Sequence, residues 1–218
     1  GPDAYISMCG GHYGASLGIV NSQRSGSDVK SMWNESLTEY RQNILRTWMN
    51  RLWHTDADAM MIRKREEKFK DMDAKTRGLF TDAEARTNAL NQYLGGGIVT
   101  FTEFMPELGD ARWALYKHVI PSVGSEGIPL DIFDHKCPNY IRNHMEPSCE
   151  SLASWNTISI VNWGEKDIDP AIQVNSQTTD GLLGTQFLAF EFFSQRVMGI
   201  YELGDTLELE TLSPHHSK

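Results

Sequence analysis

The sequence predicts an α/β unit built on a parallel sheet, followed by an all-β unit of antiparallel strands. Three observations carry this expectation. Short apolar runs alternate with helical periodicity over residues 5–120; that periodicity stops after Gly124-Ser-Glu-Gly127; and beyond it short runs alternate apolar and polar residues. Strand–helix alternation implies right-handed βα units. A period of two implies half-buried antiparallel strands. The division is expected between residues 1–126 and 127–218.

Tyr5-Ile-Ser-Met-Cys9 reads as a first short strand, and Gly10-Gly11 let the backbone turn sharply or approach a ligand. Residues 19–22 read as a second strand leading into a polar turn. A helix is expected over 38–51, where Tyr40, Ile44 and Trp48, with Leu45, Met49 and Leu52, form one apolar face. Leu52 to Arg63 reads as a third strand and loop presenting Asp56 and Asp58, which share a face in extended chain. The charged run at 63–77 reads as a solvated loop or helix face. Thr81-Asp-Ala-Glu84 has the capping-box pattern and opens a helix over 82–94, which Gly95-Gly96-Gly97 ends. Ile98–Phe101 is β-branched and aromatic, hence a fourth strand. Asp110 can cap a helix over 111–119 that Pro121 stops. Four parallel strands are half of what an eight-stranded barrel needs. In the second unit, strands are expected at 157–162, 172–174, 187–193, 197–201 and 206–211, with Leu207 and Leu209 inward and Glu208 and Glu210 outward.

The 218 residues are 40% hydrophobic and 22% charged, the composition of a globular protein. A net charge of -9 argues against nucleic acid as a partner, which would need a basic face. No apolar run approaches the roughly 18 residues of a membrane span, and no basic segment precedes an apolar core as in a signal peptide. Cys9, Cys137 and Cys149 have no metal-ligand spacing and read as reduced; Cys137 and Cys149 could pair, but nothing requires it. No Gly-rich phosphate loop follows a strand with the needed spacing, so no cofactor is expected. No metal site is expected either: Asp56 and Asp58 lack a further ligand cluster, and His215-His216 read as tail.

The chemistry concentrates between Ile19 and Trp33. Polar loops after parallel strands are where barrel enzymes keep their catalytic groups, and Arg24, four residues before Asp28, can hold that carboxylate in place. Asp28 reads as a carboxylic acid used on a sugar. The same spacing fits a surface loop with a structural ion pair. Trp33 fits either a platform for an apolar sugar face or a core position.

These segments together resemble the C-terminal half of α-galactosidase-like glycoside hydrolases, the melibiase clan. Cys9-Gly10-Gly11 is similar to that family's segment after barrel strand five, and Arg24-Ser-Gly-Ser-Asp28-Val with Trp33 to its segment after strand six. Trp53 through Asp56-Ala-Asp58 to Arg63 resembles its Asn-Asp-Pro-Asp segment on strand seven, and Thr81–Gly96 with Ile98–Leu108 its strand-eight unit. Pro129–Phe133, Trp155–Trp163, Glu191-Phe-Phe193 and Ser213-Pro214-His215 resemble its C-terminal β-sandwich.

The resemblance implies half of a (β/α)8 barrel, strands five to eight, then a sandwich domain. It implies retaining hydrolysis of an α-linked galactoside or related sugar, with Asp28 as acid/base and Cys9, Gly10, Gly11, Arg24, Trp33 and Asp56 lining the sugar pocket. Two departures stand out. The family's nucleophile follows strand four, which would precede residue 1, and Glu103 and Ala57 replace the usual Asp and Pro. The chain alone is therefore expected to be inactive, and to form a homo-oligomer through its open half-barrel. A non-catalytic carbohydrate-binding or interaction protein on the same fold is the alternative.

Overall fold

The structure is a computed structural model that describes residues 1, 3–30, 32–62, 80–103 and 105–218. The charged run at 63–77, Arg63 and Phe104 of the segments discussed above lie outside the described residues. The chain divides into two compact units, Gly1–Gly127 and Ile128–Lys218.

The first unit runs β1 (Ser7–Met8), α1 (Tyr13–Ser16), β2 (Ser22–Arg24), α2 (Trp33–Arg46), β3 (His54–Met60), α3 (Asp82–Gly95), β4 (Ile98–Phe101) and α4 (Asp110–Val119). The strands form one parallel sheet in chain order, β1-β2-β3-β4. The best-specified helix is α3. Thr81 Oγ1 accepts the Glu84 N–H at 3.2 Å while Glu84 Oε2 accepts the Thr81 N–H at 2.8 Å, so two otherwise orphaned donors are satisfied reciprocally. At its other end Gly96 takes a φ of 63°, which glycine adopts without a Cβ penalty.

Tyr40, Ile44, Met60, Ile62 and Leu94 are fully buried. The α2–α3 contact is polar as well. Asn43 donates to the Asn91 carbonyl at 2.9 Å, Asn91 donates to Glu39 Oε2 at 3.0 Å and Asn88 donates to the Tyr40 hydroxyl at 2.6 Å. Burial pushes the Glu39 carboxyl well above its ordinary range; the Asp58 charge adds to this, against the opposing pull of Arg24 and the Asn91 hydrogen bond.

Several expectations need correction. The second strand begins at Ser22 rather than Ile19, which is exposed; Asn21 already joins the ladder through the Ile6 carbonyl and the His54 N–H. Apolarity marked the approach to the strand, whereas Ser22 and Gln23 within it are polar and fully buried. The helix expected at 38–51 starts at Trp33 and ends at Arg46, and a 3-10 turn, Thr47–Arg51, follows. That tighter turn breaks the 3.6-residue period and leaves Trp48 exposed. Asp110 is the first helical residue of α4, while Gly109 occupies the cap.

The second unit carries β5 (Ile128–Pro129), β6 (Tyr140–Met145), β7 (Trp155–Ile160), β8 (Ala171–Gln173), β9 (Gln186–Glu191), β10 (Arg196–Glu202) and β11 (Thr206–Glu208). All pairings among them are antiparallel: β5-β6-β7, β9 with β10, and β8 with β11. Leu207 is buried and Glu208 and Glu210 are exposed, as the alternation implies. The β9–β10 ribbon leaves Leu188, Phe190, Val197 and Ile200 exposed. Among the described residues, no helix is long and apolar enough to cross a membrane.

Candidate functional site

Arg24 ends β2, and its side chain, 15% exposed, reaches three carboxylates. NH2 lies 2.9 Å from Asp58 Oδ1, Nε lies 3.6 Å from Asp56 Oδ2, and NH1 donates to Asp28 Oδ1 at 3.3 Å. Parallel pairing puts Arg24 beside Asp56 on β3, so the sheet register itself assembles the cluster. Burial alone would lower the guanidinium's pKa; the carboxylates of Asp58, Asp56 and Asp28, with Cys9, outweigh it and hold the pKa above its ordinary value. The arginine is a fixed cation. Asp28, by contrast, presents a side chain that is 66% exposed, with Lys30 Nζ 3.7 Å from its second oxygen.

The loop between Arg24 and α2 is held at Ser25, Ser27, Val29 and Lys30. Tyr13 donates to the carbonyls of Arg24 and Ser25 at 3.3 and 3.2 Å, and Arg46 donates to the Tyr13 hydroxyl and the Ser25 carbonyl. Ser25 donates its hydroxyl to Asn43 Oδ1 at 2.7 Å and its N–H to the Asp56 carbonyl. The Ser27 N–H goes to Gln42 Oε1, the Val29 N–H to Asp58 Oδ2, and the Lys30 N–H to Ser36 Oγ. A loop so anchored presents the exposed Asp28 carboxylate from a stiff frame.

Cys9, Gly10 and Gly11 follow β1, the neighbour of β2. Cys9 is exposed and near enough to Arg24 to act on its charge. Gly10 has a φ of 72°, the left-handed region that favours glycine. A Cβ at Gly11 would overlap the Met8 side chain, and its carbonyl accepts from Gln23 Nε2 at 2.9 Å. Asp56 lies at the cluster but is committed within it, since its Oδ1 accepts the Asp58 N–H at 2.9 Å.

Trp33 is the correction among the expected pocket residues. It is 5% exposed at the start of α2, with its ring 5.6 Å from that of Tyr40, so its face is spent on core packing rather than offered to a sugar. Glu103 accepts the Ile62 N–H at 2.7 Å, a backbone anchor after β3. Asp58 was legible only as a neighbour of Asp56; its φ of 64° and its tie to Val29 have no signature in the sequence. Among the described residues, no group of three or more His, Cys, Asp or Glu side chains could hold a metal ion, and Cys9, Cys137 and Cys149 are not joined in a disulfide.

No family model matches the chain, and no curated protein matches it in sequence. Solved structures do match its fold. A GH27 β-L-arabinopyranosidase from Geobacillus stearothermophilus, in complex with arabinose, is 14% identical with a TM-score of 0.65, over 91% of this chain and 44% of that one. An α-galactosidase from Mortierella vinacea is 9% identical with a TM-score of 0.64, over 93% and 53%. An α-galactosidase from Saccharomyces cerevisiae, solved with raffinose, is 10% identical with a TM-score of 0.58, over 92% and 58%. The chain spans about half the length of these structures, and over about nine-tenths of its own length it has the fold of α-galactosidase-type glycoside hydrolases.

Proposed function

We propose that this chain is a segment of a retaining glycoside hydrolase of the α-galactosidase type, with Asp28 as its general acid/base. The observation that carries the reading is the exposed Asp28 carboxylate beside the fixed Arg24 guanidinium, on the loop that follows a parallel strand. In such a reaction Asp28 protonates the departing glycosidic oxygen, and then takes a proton from the water that releases the sugar from the nucleophile. β1 to β4 serve as barrel strands five to eight. The nucleophile comes from strand four of the remaining barrel half, since no carboxylate here matches it. Cys9, Gly10, Gly11, Arg24 and Asp56 border the pocket for an α-linked galactoside or related sugar.

Among the described residues β1 and β4 are the outer strands of the sheet; such edges favour pairing with a further set of parallel strands, and in the isolated chain a second copy fills that place. Light scattering at micromolar concentration should report a dimer or larger assembly; a monodisperse monomer would refute that part of the reading.

The central test has two arms. The chain alone should not turn over an aryl α-galactoside. An enzyme that joins it to a preceding barrel half ending in a nucleophilic Asp should hydrolyse that substrate with retention. In that enzyme Asp28→Asn should lower kcat by about 10²–10⁴, least for leaving groups that need no protonation. Equal loss across leaving groups would sink the acid/base role.

A further inference from the structure

We propose that Asp58 is a positioning residue: one carboxylate on β3 fixes both the cation and the backbone on either side of Asp28. The role rests on the acid/base reading of Asp28, but its structural content does not. Asp58 sits where the β3–β4 register slips, between the Asp56↔Ile98 and Ala59↔Thr100 pairs. Its φ of 64° is a conformation that costs an ordinary L-residue roughly 1–2 kcal/mol. Such strain persists only where the surroundings over-determine it, and it gathers at functional sites.

The surroundings here are explicit. The Asp58 carbonyl accepts from Thr100 Oγ1 at 2.6 Å and Gln92 Nε2 at 3.1 Å, and its N–H donates to Asp56 Oδ1 at 2.9 Å. β4, α3 and β3 itself thus hold the backbone in its left-handed turn. That turn aims the side chain across the sheet to β2. Oδ1 receives Arg24 NH2 at 2.9 Å, and Oδ2 receives the Val29 N–H at 2.7 Å. Arg24 is four residues before Asp28 and Val29 one after it.

Only a carboxylate can make both bonds at once, because it offers two acceptor oxygens. An Asn there must turn its NH2 group toward either a guanidinium or a backbone N–H, donor against donor. A Gly suits the backbone better than Asp does, but makes neither bond. Among the described residues the Asp28 carboxylate has only long contacts, 3.3 Å to Arg24 and 3.7 Å to Lys30. Its direction is therefore set by the peptide that Asp58 clamps.

The experiment reads the Val29 amide in the full chain by NMR and hydrogen exchange, in the parent and in Asp58→Asn and Asp58→Gly. The expected result in Asp58→Gly is an upfield shift of the Val29 proton and exchange at least about tenfold faster, with β3 and α3 amides still protected; Asp58→Asn, which keeps one bond at the cost of the other, should shift either the Val29 amide or the Arg24 side-chain resonances. The Gly variant relieves the backbone strain, so its loss of Val29 protection reports the missing carboxylate and not the left-handed turn. A Val29 amide in the Gly variant like the parent's, or an Asn variant unchanged at both Val29 and Arg24, overturns the proposal. Loss of protection throughout β3 and α3 in the Gly variant overturns it too. None of these outcomes depends on Asp28 donating a proton, so failure here is distinct from failure of the leaving-group test.

Discussion

Replacing Glu39 by Gln tests the electrostatics beneath the site. Glu39 is fully buried; Oε2 accepts from Asn91 at 3.0 Å, and Oε1 has no hydrogen-bond partner among the described residues. The charged groups acting on it are Asp58 and Asp56, which disfavour its ionisation, and Arg24, which favours it, while burial dominates. Its pKa in the folded chain is raised, so the sign is fixed. Its full contribution to stability is present below the unfolded carboxyl's pKa of about 4.3 and is lost as pH rises through the folded pKa. Over that window each pH unit lowers stability by about 1.4 kcal/mol. A Gln keeps the acceptor for Asn91 and cannot ionise. The variant should match the parent near pH 4 to within about 1 kcal/mol, then gain on it by about 1.4 kcal/mol per pH unit until the parent's curve levels. Native-state hydrogen exchange of α2 amides across pH 4–8 reads the first unit by itself. A stability difference constant across that range, or a Gln variant that loses ground as pH rises, would refute the reasoning.

Two further outcomes follow from the same geometry. A Cβ at Gly96 would meet the Ser125 carbonyl in a left-handed backbone, so Gly96→Ala should cost about 2–4 kcal/mol in the first unit, read from the denaturant midpoint; a loss under 1 kcal/mol would show that the loop yields freely. In the second unit Asn156 donates its amide to the Thr178 and Asp180 carbonyls, which leaves its Oδ1 to accept from His144 Nδ1, while Nε2 faces Glu146 at 2.8 Å. These hydrogen bonds to Asn156 and Glu146 raise the His144 pKa against the opposing effects of slight burial and Arg142. The stabilisation is full below about pH 6.5 and is lost as pH rises through the folded value, so exchange protection around 178–180 should fall toward pH 8 in the parent and stay flat in His144→Gln. A parent with no such fall would refute it.

How much was legible depended on whether a signal was local. α3 and β4 were readable because a capping box, a glycine stop and a β-branched run are all written in adjacent residues. β2 was misplaced because its own residues, Ser22 and Gln23, are polar groups that only the assembled sheet can bury. β6 escaped notice because Arg142, Asn143 and His144 interrupt the alternation; Arg142 is buried by pairing with Asp180, 38 residues away. The Arg24–Asp28 pair was visible as an i,i+4 spacing, whereas the hold of Asp58 on Arg24 and Val29 depends on a left-handed residue set by Thr100 and Gln92. Trp33 shows the converse failure: an aromatic at the start of a helix looks the same in sequence whether it faces a ligand or Tyr40.

In the parallel sheet, spatial order and chain order coincide. As the polypeptide leaves the ribosome, every new strand from β2 onward finds its single earlier neighbour already made, and no strand has to wait for a later one to be inserted between them. Such a sheet can lengthen one repeat at a time during translation, and the edge at which it grows is always the most recently synthesised strand.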